Sequence, residues 1–239
     1  MKIKFLFAAF ILLIIQTSCS RTDDLLPNIE NPTEENINET FGFTYLALGD
    51  SYTIGKSVPT NMRYPVQIID SLFPNNEEDA AVKIIARTGW STDELITAIE
   101  DEPNLNNNFD FVSLLIGVNN QYRNYPIDDY KIEFRELLTR ALTFAGNDIN
   151  KVFVVSIPDY AYTSFGGGSA SISEEIDEYN AINKEITDDI GIEYFDITPI
   201  SREGLNDTEL VAGDGLHPSG KQYTEWVKLM LPTLRTKIE

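Results

Sequence analysis

Cysteine and histidine are almost absent from this chain of 239 residues, which has one of each, Cys19 and His217. A single cysteine excludes an internal disulfide and any zinc site built from cysteines. A single histidine likewise excludes a histidine-rich metal site. A carboxylate-only site for a hard cation stays open, since Asp and Glu together number 38. We predict neither a metal ion nor a cofactor.

Basic residues are also scarce: Lys and Arg number 18, and the formal net charge is −20. A nucleic-acid-binding protein should carry a basic patch, so no nucleic-acid partner is predicted. No Gly-x-Ser-x-Gly occurs, which excludes the nucleophile elbow of α/β-hydrolases. Gly55-Lys56-Ser57 imitates the end of a phosphate-binding loop. Asp50 stands where that pattern needs glycine, however, and Val58-Pro59 interrupts the helix that should follow.

The N-terminal apolar run, Phe5 to Ile15, is too short to span a bilayer and has the length of a signal-peptide core. Residues 1–18 resemble a bacterial lipoprotein signal, cleaved before Cys19, which would then be lipidated. An ordinary cleaved signal with an incidental cysteine is the alternative. The polar, Pro- and Asn-containing residues 19–40 indicate a disordered tether, followed by one domain over 41–239. We therefore expect an exported protein, lipid-anchored to the periplasmic or cell-surface face of a bacterial membrane.

Five short apolar runs alternate with segments of helical periodicity from residue 43 onward. The strands are predicted over Phe43–Leu48, Val82–Ala86, Phe109–Ile116, Lys151–Ile157 and Ile192–Ile197. Five helices are predicted. The first covers Tyr64–Leu72, the second begins at a cap at Ser91 or Thr92, and the last runs from about Ser219 to the end. The third covers Ile127–Ala145, with Ile132, Leu137, Leu138 and Leu142 at helical spacing, and the fourth runs from a capping box at Ser171 and Glu174 to Gly191. This alternation predicts an α/β fold with a five-stranded parallel sheet covered on both faces.

Chemically distinctive residues follow these strands. Ser51 follows the first strand, Gly89 the second, Asn119 the third and His217 the fifth. Because parallel strands end at one edge of a sheet, we expect these residues to lie together. A serine hydroxyl needs a neighbouring base to act as a nucleophile, and His217, oriented by Asp214, can be that base. The N–H groups of Ser51 and Gly89 and the side-chain amide of Asn119 are candidate oxyanion donors.

Four blocks carry a family resemblance: Gly-Asp-Ser-x-x-x-Gly at Gly49–Gly55, the lone Gly89, Gly117-Val118-Asn119, and Asp-x-x-His-Pro at Asp214–Pro218. In this order they resemble the SGNH hydrolases, also called GDSL esterases/lipases. The sequence departs from the family pattern at Asn120, where aspartate is usual, and at Tyr52, where leucine is usual. The resemblance implies a flavodoxin-like three-layer α/β/α sandwich and ester hydrolysis without a metal.

The predicted function is a serine esterase for short acyl esters or acetylated carbohydrates, because the modest length leaves little room for a lid domain. A lysophospholipase or lipase acting on lipid esters, and a non-catalytic surface binding protein of the same fold, are the alternatives. The substrate would be a small-molecule, glycan or lipid ester, and no oligomeric state is predicted. The role of the glycine-rich loop 159–171 is open. Aromatic residues of the loops fit either a substrate cleft or packing against the loops: Trp90, Tyr122, Tyr125, Tyr160, Tyr162 and Phe165.

Overall fold

A computed structural model describes residues 42–74 and 80–238. The predicted signal peptide, the whole predicted tether and the predicted lipidation site Cys19 lie outside these residues. Among the described helices, none is long and apolar enough to cross a lipid bilayer.

The five predicted strands are β1 (Phe43–Gly49), β2 (Ala80–Ala86), β3 (Phe111–Leu115), β4 (Val152–Val155) and β5 (Glu193–Phe195). They form one parallel sheet in the order β2-β1-β3-β4-β5, the flavodoxin-like order. The inner strands are β1, β3 and β4, and every residue of β3 and β4 is buried. The predicted α/β fold class is confirmed.

Helices cover both faces of the sheet. The helices are α1 (Ser51–Ile54), α2 (Tyr64–Leu72), α3 (Thr92–Glu100), α4 (Val118–Tyr122), α5 (Ile127–Phe144), α6 (Ala170–Ile190), α7 (Thr198–Ser201) and α8 (Gly220–Thr236). Because crossovers between parallel strands are right-handed, the strand order places α2 on one face and α3, α5 and α6 on the other. Helix α2 packs against α8, and α5 contacts both α3 and α6. Short 3-10 turns lie at Thr60–Met62, Ile149–Lys151, Tyr160–Tyr162 and Thr208–Leu210.

One local prediction was wrong. Helix α6 begins at Ala170 with Ser169 as its N-cap, so Ser171 and Glu174 do not form a capping box. The Ser171 hydroxyl instead pairs with that of Ser169 at 3.0 Å. Ile132 shares the helical spacing of α5 but is 68% exposed. The buried face of α5 consists of Tyr130, Phe134, Leu137, Leu138 and Ala141.

Candidate active site

The turn after β1 presents Ser51 at the edge of the sheet where the parallel strands end. Asp50 is the N-cap of α1, and its Oδ1 accepts the N–H of Tyr52 at 2.9 Å. The hydroxyl of Tyr223, on α8, donates to the Tyr52 carbonyl at 2.8 Å. The short helix that begins with Ser51 is therefore anchored at its first turn and to α8, which fixes where the serine lies.

A cleft of about 280 Å³ at this edge collects most of the predicted site residues. Its lining residues are Ser51, Tyr52, Thr88, Gly89, Val118, Asn119, Tyr122, Tyr160, Phe165, Leu216 and His217. Asp214 does not line the cleft and lies behind His217, with its Oδ2 at 2.6 Å from the imidazole Nδ1. The predicted nucleophile, base and oxyanion donors thus share one cavity.

The imidazole is buried and held in place. Its ring meets the edge of the Tyr52 ring at a centroid distance of 5.8 Å. Oδ1 of Asp214 accepts the backbone N–H of Leu216 and of His217, each at 3.0 Å. No hydrogen bond joins the Ser51 hydroxyl to His217 among the described residues. Such bonds are often long before substrate binds and tighten in the complex.

Each predicted oxyanion donor has a defined local structure. Gly89 has φ = +92°, a conformation that favours glycine. Asn119 donates one amide N–H to the Trp90 carbonyl at 2.9 Å. Because the amide group carries two N–H bonds, the second is left for a ligand. Asn120, the departure from the family pattern, accepts the Thr92 N–H at 3.1 Å and donates to its hydroxyl at 2.6 Å, which ties α4 to the start of α3.

The pKa values of the two carboxyl groups near the site, Asp50 and Asp214, are shifted in opposite directions. Burial raises the pKa of Asp50 to about 7, against the effect of its backbone hydrogen bonds. Burial acts in the same direction on Asp214, but hydrogen bonds from Ser57, His217 and Leu216 outweigh it and hold the pKa of that carboxyl well below its usual range. Asp214 is therefore ionised beside the imidazole at neutral pH, the state that stabilises an imidazolium.

Comparisons with known proteins agree with this architecture. The family model described as the GDSL-like Lipase/Acylhydrolase family matches residues 47–224. The chain belongs to this family. A search of curated proteins found no match.

Solved structures of GDSL hydrolases share the fold. An acetylxylan esterase from Geobacillus stearothermophilus is 19% identical, with a TM-score of 0.60 over 81% of this chain and 94% of that one. A lipase/acylhydrolase from Enterococcus faecalis is 20% identical, with a TM-score of 0.61 over 82% and 96%. A lipolytic protein of the G-D-S-L family from Veillonella parvula is 17% identical, with a TM-score of 0.61 over 80% and 97%.

Three aromatic rings form one wall of the GDSL hydrolase cleft. Tyr122, Tyr160 and Phe165 contact one another, with ring centroids 6.2 to 6.5 Å apart. Trp90, Tyr125 and Tyr162, the other aromatic residues of these loops, are not among the lining residues. The sequence offered no means of separating these two groups.

Loop 159–171, whose role was open, carries part of this wall and is fixed at its base. The buried Asp159 accepts the Ser173 hydroxyl at 2.6 Å and the Arg202 Nε at 3.0 Å. The N–H of Phe165 donates to the Gly215 carbonyl at 3.0 Å. The loop is therefore bonded to the segment that contains Asp214 and His217.

Two further residues near the site were missed by sequence reasoning. Arg123 donates to the Gly89 carbonyl at 2.5 Å and to Glu94 at 2.9 Å, so it bridges the loop after β2 and helix α3. The hydroxyl of Ser57 donates to Oδ2 of Asp214 at 2.5 Å. No motif marks either residue, because both contacts join segments distant in sequence. Among the described residues, no group of three or more His, Cys, Asp or Glu could hold a metal ion.

Proposed function

We propose that the protein is a serine esterase in which Ser51, His217 and Asp214 form a catalytic triad. The observation that carries this proposal is the contact at 2.6 Å between Asp214 Oδ2 and His217 Nδ1, behind a cleft that Ser51 and His217 both line. An ionised carboxylate on Nδ1 favours the tautomer whose other ring nitrogen can accept a proton. This arrangement suits nucleophilic catalysis at a carbonyl carbon.

In the proposed reaction, the Ser51 oxygen attacks the ester carbonyl while His217 accepts the hydroxyl proton. The carbonyl oxygen becomes an oxyanion, which accepts hydrogen bonds from the N–H groups of Ser51 and Gly89 and the amide of Asn119. Collapse of this intermediate breaks the bond to the alcohol, which leaves with the proton from His217. Water then attacks the acyl-serine by the same route, releasing the acid and restoring the Ser51 hydroxyl.

The shape of the cleft favours a small, neutral ester. Ligand pockets commonly enclose about 300–1,000 Å³. At about 280 Å³, this cleft suits a short acyl group better than a long one. Apart from His217, its lining residues carry no ionisable group other than tyrosine, so nothing there would pair with an anionic headgroup. The aromatic wall offers an apolar surface for a sugar ring. An acetylxylan esterase with the same fold makes acetylated carbohydrate a fitting substrate to assay.

Lipid esters are a second candidate, favoured by one observation. Tyr122 and Phe165 are 57% and 55% exposed at the cleft, and together they give it an apolar rim. An acyl chain could lie on this surface outside the cleft. The chain-length preference of the protein separates the two candidates.

The test is hydrolysis of nitrophenyl esters from acetyl to palmitoyl by the wild type and Ser51→Ala. We expect the rate to peak at acetyl, to be lower in acid than at neutral pH because general-base catalysis needs an unprotonated imidazole, and to vanish in Ser51→Ala. Ser71→Ala, on α2 outside the cleft, is the matched control and should retain turnover. A peak at long chains would favour lipid esters. Activity that survives in Ser51→Ala would refute the proposed nucleophile, and a wild type that binds esters without turnover would indicate a binding protein.

We also propose that residues 1–18 direct export, that Cys19 is lipidated, and that residues 19–40 tether the hydrolase domain, 41–239, to the periplasmic or cell-surface face of a bacterial membrane. The proposal rests on the apolar run Phe5 to Ile15 and on the position of the only cysteine, four residues after Ile15.

A further inference from the structure

The carboxylate of Asp214 accepts hydrogen bonds from two separate parts of the chain. Its Oδ1 accepts two backbone N–H groups from its own loop, those of Leu216 and His217. Its Oδ2 accepts the imidazole Nδ1 at 2.6 Å and, on the same atom, the hydroxyl of Ser57 at 2.5 Å. Ser57 lies 157 residues away in the chain, shortly after the proposed nucleophile. Oδ2 of Asp214 is therefore bonded both to the proposed base, His217, and to Ser57, which lies in the segment that follows the proposed nucleophile.

Ser57 occupies an unfavourable backbone conformation. Its φ of +70° is in the left-handed region, which residues other than glycine seldom adopt. The segment is held there by backbone bonds, including Lys56 N–H to the Ser51 carbonyl at 2.9 Å. Strained residues of this kind persist where the surrounding structure holds them, and they cluster at functional sites. At this position the conformation delivers a hydroxyl to Asp214.

We propose that Ser57 is a positioning residue of the hydrolytic site, which acts through Asp214 and lowers the pH at which His217 takes up a proton. The inference rests on the proposed function for its role in catalysis. A carboxylate stabilises an imidazolium through the charge on the oxygen it presents. A hydroxyl that donates to the same oxygen draws on that charge and weakens the stabilisation. His217 consequently stays a proton acceptor in more acidic solution.

The two backbone bonds to Oδ1 determine what loss of the hydroxyl should do. They hold the carboxylate in place whether or not Ser57 is present, so Asp214 should keep its contact with Nδ1. Without the competing donor, Oδ2 interacts more strongly with the imidazolium. Removal of the hydroxyl should therefore move the imidazole titration to higher pH.

Other titratable groups surround the pair from α1, the segment after β4 and α8. They are Asp50, Tyr52, Asp159, Tyr160 and Tyr223. Burial raises the pKa of each of these tyrosines, so they are uncharged through the neutral range. The acid Asp159 is paired with Arg202. All of these groups are common to the variants compared below, so a difference between variants reports on Ser57.

The test uses the single histidine of the chain. Because His217 is the only imidazole, its Cε1–H signal in an NMR titration needs no assignment, provided that no histidine tag is present. In Ser57→Ala and Ser57→Gly we expect the titration midpoint to rise by about 0.5 pH unit relative to the wild type, because only part of the energy of a hydrogen bond to the carboxylate is transmitted to the imidazole. The acid limb of kcat/KM should move by the same amount.

Two comparisons separate this role from a structural one. Ser164→Ala removes a hydroxyl that donates to the Gly215 carbonyl at 3.0 Å, in the same loop but not to the carboxylate, so its midpoint should stay at the wild-type value. Glycine accepts a φ of +70° without strain, so Ser57→Gly should melt at or above the temperature of Ser57→Ala. If Ser57→Ala fails to fold, Ser57→Gly still carries the measurement.

A midpoint that stays unchanged or falls in both Ser57 variants overturns the inference, as does an equal rise in Ser164→Ala. The NMR titration needs no turnover, which separates this result from the fate of the proposed function. An active wild type without the shift refutes the role of Ser57 alone. A shift in a protein that hydrolyses no ester supports the coupling of Ser57 to His217 and refutes the esterase.

Discussion

Asp50→Asn tests whether burial neutralises the carboxyl group beside Ser51. Asp50 is fully buried, and among the described residues no donor reaches its Oδ2. Burial raises its pKa from 3.8 to about 7. The native state therefore holds this proton more tightly than the unfolded chain does. Stability should be undiminished below the unfolded pKa, fall as pH rises above it, and level off above the folded pKa.

The size of this effect follows from the two pKa values. Each unit of difference corresponds to about 1.4 kcal/mol, and the part lost between about pH 5 and about pH 8 is about 2.5 kcal/mol. Asparagine keeps the oxygen that accepts the Tyr52 N–H and has no charge to gain. We therefore compare the free energy of unfolding of Asp50→Asn with that of the wild type at each pH. The difference, variant minus wild type, should be about 2.5 kcal/mol larger at about pH 8 than at about pH 5, and the difference in Tm should be about 5–10 °C larger.

The assay is thermal and urea unfolding of both proteins at the two pH values, followed by circular dichroism. Asp148→Asn is the matched control, because the exposed Asp148 accepts the N–H two residues ahead, at Asn150, at the same 2.9 Å. The relative stability of that variant should change little with pH. An equal pH dependence in the two variants would refute the reasoning, since exposure is the main difference between the two aspartates.

Two further predictions concern the loop after β2 and the N-terminus. Arg123→Ala removes the donor to the Gly89 carbonyl and should lower kcat about tenfold with little change in KM, since a misplaced oxyanion donor weakens transition-state binding. The matched control is Arg140→Ala, which removes a surface arginine paired with Glu136 outside the cleft. Equal kcat in the two variants would contradict a role of Arg123 at the oxyanion site. Cys19→Ser should abolish incorporation of labelled palmitate and release the protein from the membrane fraction; unchanged labelling would exclude lipidation at Cys19.

The sequence was sufficient to predict the fold and the residues brought to one cleft, because both depend on local pattern. Apolar runs and caps mark the strands and helices, and the first three motif blocks lie at the ends of β1, β2 and β3. Ser57 and Arg123 were not found, because their roles depend on which distant segments the fold brings together. The Ser57 hydroxyl and Asp214 are 157 residues apart in the chain.

Hydrophobicity alone also failed to separate surface from core at single positions. Ile132 shares the helical spacing of α5 and is 68% exposed, whereas Phe134 and Leu137 of the same helix are buried. Ser171 has a residue pattern typical of a cap, but the chain entered α6 earlier, after the left-handed Gly168. That error arose from reading a residue type without its three-dimensional surroundings.

The hydrogen bond from the Tyr223 hydroxyl to the Tyr52 carbonyl joins residues 171 positions apart and connects α8 to the helix that begins with Ser51. The proposed nucleophile is made early in synthesis, and the proposed base comes from the last part of the chain, just before α8. An unfinished or C-terminally clipped chain would carry Ser51 without its base. Hydrolytic activity should therefore appear only in the finished, folded protein, so the enzyme would be inert while it is being synthesised.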